Sequence, residues 1–324
     1  MKKNYDDLSW MNENVWDKYG KDDEQGAAGQ LNEVNVLQAV SLIKKGKIYD
    51  LETDRFKGMD IWDGHAGFEI MSYASPEREK LKDTDAAKTV NWYQKGNWMD
   101  EEWNAPEIHM GCNTEVLIAP MHVGTHIDAL CHWTTGDDNH WFNGFNAQEH
   151  SSNFGPFKCD ISKMPPVVTR GVLLDLAAYK GVEHLYNHII TAEDIEGCIK
   201  AQGTEIRPGD AVFLRTGESW PQPRNGSTGV GITAARYLVE ELGAVMIGDD
   251  MSSIDGFNED GTSSVANHPQ PVHHYLLIQR GVHIVEYLQL DELAADKVYE
   301  FCLVCSPSKV KFATGMFFRP IAII

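Results

Sequence analysis

The 324-residue chain lacks a phosphate-binding glycine loop, a G-x-S-x-G turn and a strand-linked G-x-G-x-x-G. The usual sequence grounds for a nucleotide hydrolase, a serine hydrolase or a dehydrogenase are therefore missing. Basic residues are scarce: 28 Lys and Arg stand against 48 Asp and Glu, for a formal charge of −20. Phosphate backbones and anionic bilayers both call for a basic face, so neither nucleic acid nor a membrane is expected as a partner. No apolar run approaches the length of a membrane span, and Met1-Lys-Lys-Asn-Tyr-Asp-Asp leads into polar sequence without the apolar core of a secretory signal. The six cysteines, at 112, 131, 159, 198, 302 and 305, are too scattered for a disulfide framework and read as free thiols of a cytoplasmic protein. Cys302-Leu-Val-Cys305 is the one C-x-x-C, but it lies in an apolar, strand-like run, and a zinc ribbon would need a second pair.

What the chain has is imidazole concentrated in one place. Met121 to Trp133 reads M-H-V-G-T-H-I-D-A-L-C-H-W and holds His122, His126, Asp128 and His132 within eleven residues. Imidazole and carboxylate are the donors that suit a borderline divalent ion such as Zn²⁺ or Mn²⁺. The four positions share one parity, so an extended chain would point them to one face. A flat strand would still spread residues 122 to 128 over about 20 Å. The backbone must bend, and Gly124 is placed to let it. A helix fits worse, because Asp128 would fall well around it from His122 and His126. Cys131 beside His132 could suggest a nucleophile pair, but adjacent residues on an extended segment point apart.

Along the rest of the chain, residues 1 to about 30 form a polar arm carrying Trp10 and Trp16, followed by a helical spacing from Asn35 to Lys45 and a strand from Lys47 to Leu51. Phe56 to Trp103 is irregular and dense in aromatics, including Trp62, Phe68, Tyr73, Trp92, Tyr93, Trp98 and Trp103, which could line a pocket or cover an edge. Strands are expected at Thr114 to Ala119, Gly171 to Leu176, Ala211 to Arg215 and Ala244 to Ile247. Between them Thr191-Ala-Glu-Asp opens a helix closed by Gly203, and Thr233 caps a second that runs to Gly243. Strand and helix alternate, so the class is α/β, with a mixed sheet or barrel-like core and flanking helices. No repeat or linker divides the chain; one domain is expected, with residues 1–105 as an N-terminal extension packed on a core of 106–324.

The stretch His122-Val-Gly-Thr-His126-Ile-Asp128 followed by His132 resembles the H-x-G-T-H-x-D-x-P-x-H signature of the cyclase superfamily of metal-dependent hydrolases, which includes bacterial kynurenine formamidase and isatin hydrolase. Leu130 stands where that signature has proline. Two further segments extend the likeness, Pro208 to Gly217 and the acidic turn Asp250-Met-Ser-Ser253-Ile-Asp255. The resemblance implies a swivelling β/β/α fold. It also implies that a histidine, a glycine seven residues on and a glutamate twelve residues on complete the metal site. His274, Gly281 and Glu286 match that spacing, whereas His273 does not.

The expected activity is hydrolysis of a small amide, formamide, lactam or lactone, arylformamidase-like. One or two ions held by His122, His126, Asp128, His274 and Glu286 would activate water, with His132 as general acid and base. The alternative is a metal-binding or structural homo-oligomer of the same fold that has lost catalysis. A closed structural site has no use for an extra titratable group, so His132 favours the enzyme. The resemblance also implies a homodimer or larger homo-oligomer. Aromatics on a solvated arm are costly to leave in water, so Trp10 and Trp16 are expected to pack across its interface.

Overall fold

The strongest apolar runs of the sequence become the strands of one nine-stranded mixed sheet. The computed structural model describes residues 5–59, 61–62, 64–74, 113–218 and 228–324. In chain order the sheet strands are β1 (Ile48–Asp50), β2 (His126–Asp128), β3 (Val167–Asp175), β4 (Ala211–Arg215), β5 (Met246–Asp249), β6 (His283–Glu286), β7 (Glu300–Cys305), β8 (Gly315–Phe317) and β9 (Ile321–Ile323). Their spatial order is β1-β9-β7-β3-β4-β5-β6-β2-β8. The centre, β3-β4-β5-β6, is parallel, and every other pairing is antiparallel. A parallel centre is covered on both faces, which is why Val172, Leu173, Leu174, Val212, Phe213, Ile247 and Ile284 are all buried.

The crossovers follow the sequence signals closely. Thr191 caps the helix α2 (Ala192–Gln202) in a reciprocal box with Asp194, and Gly203 ends it in the left-handed region. Before it, α1 (Glu33–Val40) is capped by Asn32. Thr233 does not cap the next helix: the turn begins at Ile232 with Gly231 before it, and the chain passes at Tyr237–Glu241 into a π-helix. Cys302 and Cys305 are inside β7, as the strand reading requires. The five described cysteines are free and buried. Among the described residues no helix is long and apolar enough to cross a membrane.

The chain divides into two compact units, Met1–Asp54 with Met121–Ile324, and Arg55–Pro120. In the first, the N-terminal residues pack on the remainder of the unit. β1 is hydrogen-bonded into the sheet through β9, and Trp10 is fully buried against His268, His274 and Tyr275 of its own chain. Trp16 donates its indole N–H to the Ile278 carbonyl at 2.8 Å. Trp10 is thus covered within its own chain, whereas Trp16 is only partly buried. The reason is physical: Arg236, Gln279 and Arg280 donate to the carbonyls of Tyr5, Asp7, Met11 and Glu13, giving a polar arm the hydrogen bonds that hold it down. In the second unit, Glu69–Ala74 pairs antiparallel with Thr114–Ile118. Trp92, Tyr93, Trp98, Trp103 and the expected boundary near 105 lie outside the described residues.

Candidate metal centre

The site begins with a bend and a three-residue strand. Gly124 takes a φ of 57°, which a side chain would resist, and turns the chain between His122 and β2. Thr125 fixes the turn: its N–H donates to Thr53 Oγ1 at 2.8 Å and its hydroxyl to the Tyr287 carbonyl at 2.6 Å. Along β2, Ile127 enters the core while His126 and Asp128 share the other face, as alternation demands. The sheet register then does what local spacing cannot. β6 runs antiparallel beside β2 with Glu286 opposite His126, and β8 runs along its other edge with Gly315 opposite Asp128.

The donors converge. His126 Nε2 lies 3.5 Å from Asp128 Oδ1 and 3.3 Å from Glu286 Oε2. His273 Nε2 lies 3.4 Å from Asp128 Oδ2 and 3.5 Å from Glu286 Oε1. His122 Nδ1 is 2.8 Å from Asp128 Oδ1, and its ring stacks on His132 with centroids 3.9 Å apart. Two groups of candidate donor side chains result, His122 with Asp128 and His132, and His126 with Asp128 and Glu286, sharing Asp128.

This arrangement fits a divalent cation. Donor atoms about 2.0–2.2 Å from one ion in tetrahedral geometry stand about 3.4 Å from each other. The four contacts of His126 and His273 with the carboxylates, at 3.3–3.5 Å, match that spacing and are long for hydrogen bonds. Asp128 Oδ2 is buried without a hydrogen-bond partner, an expensive position for a carboxylate oxygen unless a cation answers it. The outer bonds aim the imidazoles inward. His126 Nδ1–H donates to the Gly124 carbonyl at 2.8 Å and His273 Nδ1–H to Asp255 Oδ2 at 2.7 Å, leaving each Nε2 lone pair to face the carboxylates.

The electrostatics agree. Burial alone would depress His273, but Asp128, Asp255 and Glu286 outweigh it and hold the imidazole well above its ordinary value. Burial likewise opposes the charge on His126, and Glu286 and Asp128 reverse the direction. Burial would raise Asp128, yet the surrounding His132, His122 and His273 draw it well below the usual carboxylate range. His132 is pushed well below the ordinary histidine value, first by burial and then by the neighbouring imidazoles, against the pull of Asp128. Cys131 is buried, and burial pushes its thiol up, which disfavours the thiolate a nucleophile needs.

One expected residue is elsewhere. His274 faces away from the cluster, with Nδ1 2.8 Å from His268 Nε2 and Nε2 3.1 Å from Gln279 Nε2, and its expected place beside Glu286 is taken by His273. The helical turn Pro271–His273 runs directly into a π-helix, His274–Arg280. The wider i→i+5 turns take up one residue more than an α-helix would before Gly281, so the imidazole that reaches Glu286 sits thirteen positions before it. Spacing alone could not reveal this.

Sequence reasoning also passed over the wiring behind the ligands, although it singled out the acidic turn that provides it. The Ile254 N–H donates to Glu286 Oε1 at 2.8 Å. Asp255 holds His273 while also accepting from the Val272 and His273 N–H groups. Asp250 accepts from the Thr216 N–H and hydroxyl and from the Gly217 N–H, tying that turn to the Pro208 to Gly217 segment. Burial pushes the Asp250 carboxyl up to about 7.

The profile of the family described as Putative cyclase matches residues 49–256, and the chain belongs to that family. Among curated proteins no sequence matches it. The fold is similar to that of a protein described as a novel cyclase, with a TM-score of 0.76 and 24% identity over 97% of this chain and 99% of that one. It is also similar to isatin hydrolase A from Labrenzia aggregata bound to benzyl benzoate (TM-score 0.57, 19% identity, 90% of this chain and 98% of that one). Isatin hydrolase A from Ralstonia solanacearum gives a TM-score of 0.56 at 15% identity over 90% and 97%.

Proposed function

We propose that this protein is a metal-dependent hydrolase of small amides, formamides, lactams or lactones. The observation that carries the reading is the convergence of His126, His273, Asp128 and Glu286 at ligand spacing around a buried carboxylate oxygen that makes no hydrogen bond. Of the residues expected from sequence, His122, His126, Asp128 and Glu286 would hold the ion, joined by His273 rather than His274. The mixed imidazole and carboxylate set suits Zn²⁺ or Mn²⁺, and its two carboxylates could serve one or two ions. A bound ion would supply Lewis-acid polarisation of the substrate carbonyl and a lowered pKa of water.

The chain's own contribution to hydrolysis is the proton. Water adds at the carbonyl carbon, the C–N or C–O bond breaks, and the proton released from water must reach the departing nitrogen or oxygen. His132, whose ring stacks on that of His122 beside Asp128, would take up that proton and pass it on. Trp133, with its ring centroid 5.5 Å from that of His273, offers an aromatic wall for a planar substrate. The isatin hydrolases of similar fold support a cyclic amide as substrate. The chain has exposed apolar side chains at Val34, Leu37 and Ile48, which supports the further proposal of a homo-oligomer.

The test is a panel of isatin, N-formylkynurenine, simple lactones and cyclic imides, assayed after loading with Zn²⁺ or Mn²⁺. Ring opening or deformylation that a chelator abolishes is the expected result. Full metal binding with no turnover of any member would favour the non-catalytic alternative.

A further inference from the structure

His122 differs from the other two aimed histidines in where its second nitrogen goes. His126 and His273 donate to acceptors that can only accept, a carbonyl and a carboxylate. His122 instead has Nε2 3.0 Å from the hydroxyl of Thr314, while Nδ1 faces Asp128 Oδ1 at 2.8 Å. A hydroxyl can accept or donate, and it rotates between the two roles.

The Thr314 segment is held against the site from two sides. The Ala129 N–H donates to the Thr314 carbonyl at 2.8 Å, and Gly315 is paired with Asp128 across β8 and β2. A Cβ at Gly315 would lie 2.4 Å from His122 Cε1, so the imidazole rests directly on the strand backbone there. His132 stacks on the ring as well. The ring position is therefore fixed, and what remains free is which nitrogen carries the proton.

We propose that Thr314 is a positioning residue that selects the tautomer of His122. Facing Asp128 alone, Nδ1 carries the proton, since a carboxylate only accepts, and the Thr314 hydroxyl donates to Nε2. To offer a lone pair beside Asp128 to a cation, His122 must carry its proton on Nε2. The Thr314 hydroxyl then turns and accepts it, so no buried N–H is left without a partner. The inference rests on the metal-site reading above, but assigns a role to a residue that is not itself a ligand.

The experiment compares the full-length wild type with Thr314→Val and Thr314→Ser, each stripped of metal, with dissociation constants for Zn²⁺ and Mn²⁺ measured by chelator competition. Loss of the hydroxyl is expected to weaken binding by about 10–100-fold, the size found for partners behind metal-binding histidines. Thr314→Ser should restore most of the affinity, and the metal-free thermal midpoints of all three proteins should agree closely. In the zinc-loaded wild type, imidazole ¹⁵N NMR should show His122 protonated at Nε2 and ligated through Nδ1. Equal affinity of Thr314→Val and wild type, failure of serine to restore it, or ligation through Nε2 would each overturn the tautomer role while leaving the metal site standing. A wild type that takes up neither ion would overturn the metal-site reading itself.

Discussion

Two neighbouring histidines sit in opposite environments. His273 looks into a group of carboxylates and is held well above its ordinary value; His274, one residue later, faces Trp10, His268 and Gln279 and is pushed down to about 4, first by burial and then by His268 and His140. Residue type and depth are nearly the same on the two sides. What differs is the charge across from each ring, and this decides that one side can gather a cation while the other can only pack.

The comparison breaks most completely at the shared carboxylate. Asp128→Ala removes the one residue common to both groups of donors, and the purified variant is expected to lose nearly all bound metal and turnover while keeping its fold by circular dichroism. Full metal content by elemental analysis would refute the site. His132→Ala should keep its metal and lose about 10²–10⁴-fold in kcat, the ordinary worth of a positioned acid and base. Should metal and activity vanish together, His132 is a ligand and another group must move the proton.

Asp255→Asn keeps the shape of the group behind His273 but removes its charge. Metal affinity should fall by about 10–100-fold, read by chelator competition, and an unchanged affinity would mean that Asp255 serves only the helix start. The smallest effect is expected on the other side. His274 is kept neutral by the fold, so its contribution to stability is whole above 6.5 and is lost as pH falls from 6.5 toward about 4, where the unfolded chain takes up a proton that the folded one refuses. A depression of that size is worth on the order of 3 kcal/mol. His274→Gln should therefore flatten the pH dependence of unfolding between those values by up to one proton, with metal content untouched; an unaltered slope would count against it.

The division between what was and was not legible follows the range of each interaction. Local chemistry was readable: the Thr191 cap, the limits of β4, the bend at Gly124 and the shared face of His126 and Asp128 all depend on residues within a few positions. The burial of Glu286 was an open question, because an apolar strand with one acid can face either way. Only its pairing with His126 decides it. His273 was passed over for His274 because a π-helical turn leaves no periodic trace in seven residues. Thr314 gave no signal at all, since a threonine before a short strand has many ordinary uses. The arm around Trp10 was hard to read for a related reason. Its composition is polar, and the arginines that anchor it lie more than two hundred residues away.

The pairing of β2 with β6 and β8 also sets an order of events. His126 meets Glu286 across 160 residues of chain, and Asp128 meets Gly315 across 187. Contacts this distant carry a loop-closure cost before they give anything back, and they form late in folding. The dense histidine stretch emerges early from a ribosome, but it is an open set of side chains until β6 and β8 have been made and docked on both of its edges. An ion held by these side chains would therefore find its full set of donors only in the finished sheet.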